Sequence, residues 1–153
     1  MPLPDEDATL IELIGRLGNA AGGAGAGARF TAKRLKKDVH EIRLETDLAA
    51  HSALSHAQHL LAAHGQALAT DTATGTAPGG GSAVRGVVGT GAGGLNPAVV
   101  TLTVTPAGTV GGSTVLVRGA AKEGLIKQHG GRKAAELLVT AWLTADPTAG
   151  PVD

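Results

Sequence analysis

The sequence contains no cysteine, and its only aromatic side chains are Phe30 and Trp142. The absence of cysteine excludes disulfides, thiolate nucleophiles and cysteine-ligated metal sites. The shortage of aromatic residues means that small aliphatic side chains must fill the core, because each of them buries less apolar area than a ring would. We therefore expect a thin core and none of the chemistry that depends on a thiol.

The chain also lacks a long apolar run and a recognisable leader. No hydrophobic stretch approaches the length of a membrane-spanning helix. The N-terminus, MPLPDEDATL, is acidic, whereas a signal peptide begins with basic residues followed by apolar ones. These absences predict a soluble cytoplasmic protein with no membrane partner.

Charge is scarce through the middle of the chain. From Leu48 to Val117 the only Asp, Glu, Lys or Arg residues are Asp71 and Arg85. The whole chain is balanced, with 13 basic and 13 acidic residues. A long segment with so little charge predicts a sheet surface that another subunit covers.

Hydrophobic periodicity predicts an α+β fold. The expected architecture is a two-layer sandwich, an antiparallel sheet of about four strands with helices on one face, preceded by an N-terminal helical arm. After two N-terminal helices the element order is β-α-β-β-β-α, which is similar to the helix-grip architecture by order alone. The predicted helices cover 5–17, 29–37, 50–64 and 132–143, and the predicted strands cover 39–46, 84–88, 99–105 and 114–118.

Composition divides the chain into three parts. Residues 1–28 are predicted to be a helix followed by a flexible Gly/Ala linker, GNAAGGAGAGA. Residues 29–145 are predicted to form a single α+β domain, and residues 146–153 a flexible Pro/Gly tail. Residues 66–82 are predicted to be a loop.

The first helix carries an apolar stripe at helical spacing, Leu10, Leu13, Ile14 and Leu17. Because a flexible linker is expected to follow it, this stripe should dock on the main body or on a neighbouring chain. We treat it as a candidate association surface.

The stretch GTGAGG, from Gly89 to Gly94, matches the glycine pattern of a dinucleotide-binding turn. That turn requires a following helix, whose N-terminus holds the pyrophosphate. Here Pro97 and an alternating segment, VVTLTVT, follow and predict a strand. We therefore interpret the glycines as a hairpin loop and predict no nucleotide cofactor.

Four of the six histidines, His51, His56, His59 and His64, lie on or beside one predicted helix. His56 and His59 fall on its outer face and His64 near its apolar arc. No acidic residue occurs between Asp47 and Asp71 to complete a metal site. The sequence predicts solvated histidines, no metal site and no catalytic residue.

A basic run extends from Arg29 to Lys37. It lacks the interleaved aromatics on which bases stack, and Asp38, Glu41 and Glu45 follow it at once. A solvated helix face, or an intramolecular partner for the acidic first helix, explains the run better than nucleic acid does.

A second basic group surrounds the predicted start of the last helix. Its members are Lys127, His129, Arg132 and Lys133. Positive side chains oppose the helix dipole at an N-terminus, so a small anion or a carboxylate would relieve the conflict. The anion could come from solution, from a partner, or from the chain's own segment Asp5–Asp7; an ordinary solvated helix start is the alternative.

Three functions fit these observations. The first is a non-enzymatic binding or assembly domain that acts through self-association, as a homo-oligomer, or through a protein partner. The second is a carrier of a small apolar or anionic ligand between the sheet and the C-terminal helix. The third is an enzyme, and it ranks last because no catalytic set is visible.

Overall fold

The computed structural model describes residues 2–71, 81–108 and 111–152. Within these ranges the chain forms a six-stranded antiparallel sheet and four α-helices. The helices are α1 (Glu6–Ala20), α2 (Gly25–Ala32), α3 (Ala50–His64) and α4 (Gly130–Ala145). The strands are β1 (Lys36–Thr46), β2 (Gln66–Asp71), β3 (Ser82–Thr90), β4 (Asn96–Ala107), β5 (Gly112–Glu123) and β6 (Gly150–Val152).

The strand order across the sheet is β2-β3-β4-β5-β1-β6. Strands β2 to β5 form a meander, and β1 pairs with β5, so that Asp38 faces Ala121 and Lys36 faces Glu123. The predicted α+β class is confirmed. The strand count of about four was wrong because the two edge strands, β2 and β6, are short and lack the alternating apolar pattern that marks a strand.

The sheet is covered on both faces, whereas the sequence predicted helices on one face only. Along β4, Val100 and Leu102 join the core beneath α3 and α4, while the neighbouring Val99 packs against Leu10 of α1. Successive residues of a strand point to opposite faces, so α1 lies on the face away from α3 and α4. The N-terminal helices therefore add a third layer.

The main core lies between the sheet and the pair α3–α4. Its largest fully buried side chains include Trp142, Leu138, Leu61, Leu44 and Leu102. These side chains occupy the space between sheet and C-terminal helix in which a carried ligand would have to sit. Helix α3 begins and ends at the residues predicted, because its apolar face and the terminating Gly65 are both explicit in the sequence.

The Gly/Ala segment is not a linker over its whole length. Helix α1 continues to Ala20, and α2 begins at Gly25, so only a short turn separates two packed helices. A Cβ at Gly18 would lie 2.7 Å from the Ala28 Cβ, which shows how closely the helices approach. Gly/Ala composition is typical of flexible linkers, but it equally permits close helix packing, and here packing dominates. The predicted helix over 29–37 likewise ends early, at Ala32, and β1 begins at Lys36.

The C-terminal tail is also ordered. Strand β6 pairs with β1, with Arg43 opposite Val152 and Glu45 opposite Gly150. Residues 72–80, which belong to the predicted loop over 66–82, lie outside the described residues, but its first part forms β2. In the described part of the chain, none of the helices has the length and apolar character needed to cross a membrane.

Candidate functional site

The first turn of α4 rests directly on the sheet. A Cβ at Gly119 of β5 would lie 2.0 Å from the Gly131 carbonyl oxygen, and a Cβ at Gly131 would lie 2.6 Å from the Asp38 carbonyl oxygen. Only glycine at these positions permits this approach of backbone to backbone. The helix N-terminus is thereby fixed against β1 and β5.

The chain's own carboxylates bind the free N–H groups at this helix end. Gly130 N–H donates to Glu123 Oε1 at 2.9 Å, and Arg132 N–H donates to Asp38 Oδ2 at 3.3 Å. Of the basic residues predicted to hold an anion, Lys127 and His129 lie in the preceding loop and Arg132 and Lys133 in the first turn, and all four are exposed.

The positive charge at this helix end is thus offset by carboxylates of the same chain. They are not the carboxylates of Asp5–Asp7, the segment that the sequence suggested. Those residues lie across the sheet, where Asp7 binds Lys122 at 2.6 Å. Arg132 instead pairs with Glu136 at 2.7 Å, an ion pair that raises the pKa of Arg132 and lowers that of Glu136. Which carboxylates reach the helix end depends on strand register, and the anion site predicted on the four basic side chains stays a prediction.

Beside the same helix end, Asp38, Glu123 and His129 converge. One potential ligand atom from each residue lies within 4.8 Å of the others. We name these three residues the acid–histidine cluster. Sequence reasoning missed it because 85 positions separate the two acids, and only the β1–β5 register brings them to one end of the sheet.

His129 is the single described non-glycine residue with a positive φ (φ 53°, ψ 44°). The left-handed conformation costs a non-glycine residue about 1–2 kcal/mol. It places His129 immediately before α4, between the helix and the end of β5. The imidazole forms no hydrogen bond with any described residue and does not cap the helix.

Two loops at this end of the sheet expose apolar side chains. Leu95, Leu125 and Ile126 are the three most exposed large apolar residues of the described ranges, with Leu95 70% and Ile126 78% exposed. We name them the apolar loop patch. The loops adjoin, because a Cβ at Gly91 would lie 3.0 Å from the Gln128 side-chain oxygen. They line a cavity of about 320 Å³ between them.

The glycine motif forms one of these loops. Gly91, Gly93 and Gly94 have φ of 75°, 68° and 71°, values that favour glycine. They connect β3 to β4, which pair antiparallel as predicted. The interpretation as a strand-to-strand connection is therefore confirmed, although Gly89 and Thr90 still belong to β3, and β4 begins directly after the connection.

The apolar stripe of α1 docks on the chain's own sheet. Leu10 is fully buried against Val99 and Ala120, and Leu13 is half-buried beside them. Ile14 is half-buried, and Leu17 is 39% exposed. Of the two docking partners foreseen for this stripe, the structure places it against the main body.

Ion pairs fasten α1 to the same face. The Glu6 carboxylate accepts from Lys37 Nζ at 2.9 Å and from Arg118 Nε at 3.0 Å, and Glu12 accepts two hydrogen bonds from Arg29 at 3.0 Å. The basic run therefore supplies intramolecular partners for the acidic helix, one of the two explanations that the sequence favoured. Burial raises the pKa of Glu6, but the hydrogen bonds from Arg118 and Lys37 outweigh it and hold this pKa below 4.5.

We expect Glu6→Gln to lower the free energy of unfolding at neutral pH by about 2 kcal/mol, because it removes the buried carboxylate that Lys37 and Arg118 share and leaves Arg118 with Glu41 alone. Since the folded-state pKa is lowered, this stabilisation is present above about pH 4.5 and is lost as the pH falls through the folded value. Urea unfolding at two pH values measures both effects. Glu45→Gln, an exposed acid on β1, is the control; equal losses in both variants would contradict the assignment.

The group of potential metal ligands found among the described residues includes none of the α3 histidines. His51, His59 and His64 are exposed, and the His59 ring contacts the Ser55 carbonyl oxygen at 2.8 Å. His56 is half-buried and packs edge-on against Trp142, with ring centroids 4.6 Å apart. The prediction of an outer-face His56 was wrong, because α4 packs beside α3 and covers that side chain.

No protein-family model matches the chain, and no curated protein matches it. Among solved structures, the crystal structure of Mll3558 protein from Rhizobium loti aligns with 72% of this chain and 97% of its own. The two share 12% sequence identity with a TM-score of 0.36. A similarity at this level carries no argument about fold or function.

Proposed function

We propose that the protein is a non-enzymatic assembly domain that associates with a second copy of itself through the apolar loop patch. The observation that supports this proposal is the position of Leu95, Leu125 and Ile126, the three most exposed large apolar residues described, on two adjoining loops. Isolated exposed apolar residues are ordinary, whereas a contiguous group marks a contact surface.

A projection and a recess lie side by side at the patch. Leu125 is fully exposed, and Leu95 and Ile126 help to line a cavity of about 320 Å³ whose other lining residues include Lys122 and Glu123. In a two-fold contact the same surface meets itself, so a projection and an adjacent recess on one surface can serve both copies. The chain's formal net charge of zero adds no long-range repulsion between copies.

The energetics favour a weak association. Full burial of six aliphatic side chains, three from each copy, contributes about 12 kcal/mol. Loss of translational and rotational freedom costs about 4–15 kcal/mol. The two quantities are similar, so we expect a dimer that forms as concentration rises rather than a permanent one.

The experiment is light scattering coupled to size-exclusion chromatography over a concentration series. The measured mass of the wild-type protein is expected to rise toward that of a dimer as concentration increases. The mass of Leu125→Ser/Ile126→Ser should stay at the monomer value of 15.0 kDa. Leu137→Ser, which removes an exposed leucine of α4 outside the patch, should behave as wild type. A wild-type monomer at every concentration, or a dimer that survives the double substitution, would refute the proposal.

A further inference from the structure

We propose that the acid–histidine cluster, Asp38, Glu123 and His129, is a binding site for a divalent transition-metal cation such as Zn²⁺. The donor set is two carboxylate oxygens and one imidazole nitrogen, and potential ligand atoms of all three residues lie within 4.8 Å of one another. Imidazole together with carboxylate is a donor set that zinc accepts, with bonds of about 2.0–2.2 Å and the remaining positions left to water.

The helix end orients both carboxylates and leaves each an oxygen for a cation. Asp38 accepts the Arg132 N–H through Oδ2, and Glu123 accepts the Gly130 N–H through Oε1. In the part of the chain that the structure describes, Asp38 Oδ1 and Glu123 Oε2 accept no hydrogen bond. Hydrogen bonds from neighbouring groups that orient a ligand in this way are typical of metal sites.

The two cluster carboxylates carry two negative charges, and the helix N-terminus contributes about half a positive charge. The Arg132 side chain also interacts electrostatically with Asp38. Lys36, Lys37 and Lys127 line the adjacent cavity of about 240 Å³. Lys37 is paired with Glu6, and neither of the other two forms an ion pair with the cluster carboxylates among the described residues. Like charges in close proximity are costly, and a bound dication removes that cost.

His129 is available to complete the site. Its side chain is exposed and forms no hydrogen bond with a described residue, so a rotation about its side-chain bonds can bring its ring nitrogen closer to the two carboxylates, whose oxygens already lie within 4.8 Å of it. The strained left-handed backbone holds it at the mouth of the cluster. A bond from His129 to a metal would give the strained backbone a function. Helix capping does not explain it, because the His129 side chain makes no capping hydrogen bond.

The site lies close to the apolar loop patch, and Glu123 also helps to line the cavity beside that patch, but the two proposals can be tested separately. Glu123 belongs to the end of β5, and Leu125 and Ile126 follow it in the loop. The variant Leu125→Ser/Ile126→Ser keeps all three cluster residues. Metal binding by that variant therefore tests the cluster whether or not the protein forms a dimer.

The test is titration of chelator-treated full-length protein with Zn²⁺ against a chromophoric competitor. We expect one tight equivalent per chain in the wild type and at least tenfold weaker binding in His129→Gly and in Asp38→Asn. Glycine suits the left-handed backbone, so His129→Gly should unfold in EDTA at no lower temperature than the wild type. This separates a lost ligand from a lost fold.

The control variants are His51→Gln and His59→Gln, which remove exposed histidines of α3 and should leave the tight equivalent unchanged. The Co²⁺ complex gives a second readout, because its visible absorption reports ligands and should vanish in His129→Gly. Absence of a tight equivalent in the wild type would overturn the proposal. So would a tight equivalent that survives His129→Gly or disappears in the α3 variants.

Discussion

Asp146→Asn is expected to lower the free energy of unfolding by about 3 kcal/mol. Asp146 is 6% exposed and accepts four hydrogen bonds. Oδ2 accepts from the Thr46 hydroxyl at 2.5 Å and from Trp142 Nε1 at 3.3 Å. Oδ1 accepts from the Thr148 N–H at 3.0 Å and from its hydroxyl at 2.7 Å.

An amide cannot reproduce this arrangement in either orientation. Each carboxylate oxygen accepts at least one N–H, from Trp142 or from Thr148. An N–H group can only donate, so it cannot reverse its role as a hydroxyl can. The NH₂ group of asparagine must therefore face one of these donors. The two groups then repel, and a buried donor is left unsatisfied.

The stabilisation by Asp146 depends on pH and decreases in acid. Burial raises the pKa of Asp146, but hydrogen bonds from Thr148, Thr46 and Trp142 outweigh it and hold the value below 3.8. A lowered folded-state pKa gives stability that is present above about pH 3.8 and is lost as the pH falls through the folded value. In urea unfolding, the difference in free energy of unfolding between wild type and variant should become smaller in acid. Asp47→Asn, at an exposed neighbouring position, is the control; an equal loss there would contradict the argument.

Asp146 also explains why the tail is ordered although its composition predicts a flexible segment. The carboxylate joins the end of β1, the last turn of α4 and Thr148, and it thereby delivers β6 to the edge of the sheet. The sequence does not reveal this strand, because the Pro and Gly residues of PTAGPVD are typical of loops. The hydrogen bond between Thr46 and Asp146 joins residues far apart in the sequence and holds the tail in place. Hydrophobic periodicity cannot reveal such a contact.

The central strands and three of the helices could be predicted to within a few residues because their patterns are strong. Strand β4 alternates Val and Thr, and α3 carries its apolar face on one side. The charge-poor stretch from Leu48 to Val117 has an explanation other than the one the sequence offered. It contains β3 and β4, which are covered on both faces by the chain's own helices. Burial within one chain therefore explains the lack of charge on these two strands, and the proposal of self-association depends on the loop patch instead.

The candidate site could be anticipated only in part. Lys127, His129, Arg132 and Lys133 were marked by their position around the start of a predicted helix, which is a local signal. Asp38 and Glu123 carry no local signal, because an acid at a strand end is ordinarily solvated. Their proximity follows from the β1–β5 register, which places Lys36 opposite Glu123. Single-sequence reasoning does not supply registers of this kind.

Gly119→Ala is expected to lower the free energy of unfolding by about 3 kcal/mol, at the upper end of the usual cost of overpacking. The added Cβ would lie 2.0 Å from the Gly131 carbonyl oxygen, and backbone cannot rotate aside as a side chain can. Either β5 or the first turn of α4 must move. That helix also carries Leu138 and Trp142, so its displacement disturbs the main core.

Urea unfolding measures this loss, and Gly124→Ala is the matched control, since a Cβ there would meet no atom within 4 Å. The same displacement should move His129 and the N–H groups of Gly130 and Arg132 away from Asp38 and Glu123. Zn²⁺ affinity measured on the folded variant should therefore fall together with stability. If Gly119→Ala is as stable as Gly124→Ala, α4 has room to move against the sheet. The glycine contact would then not be what holds His129 beside the two carboxylates.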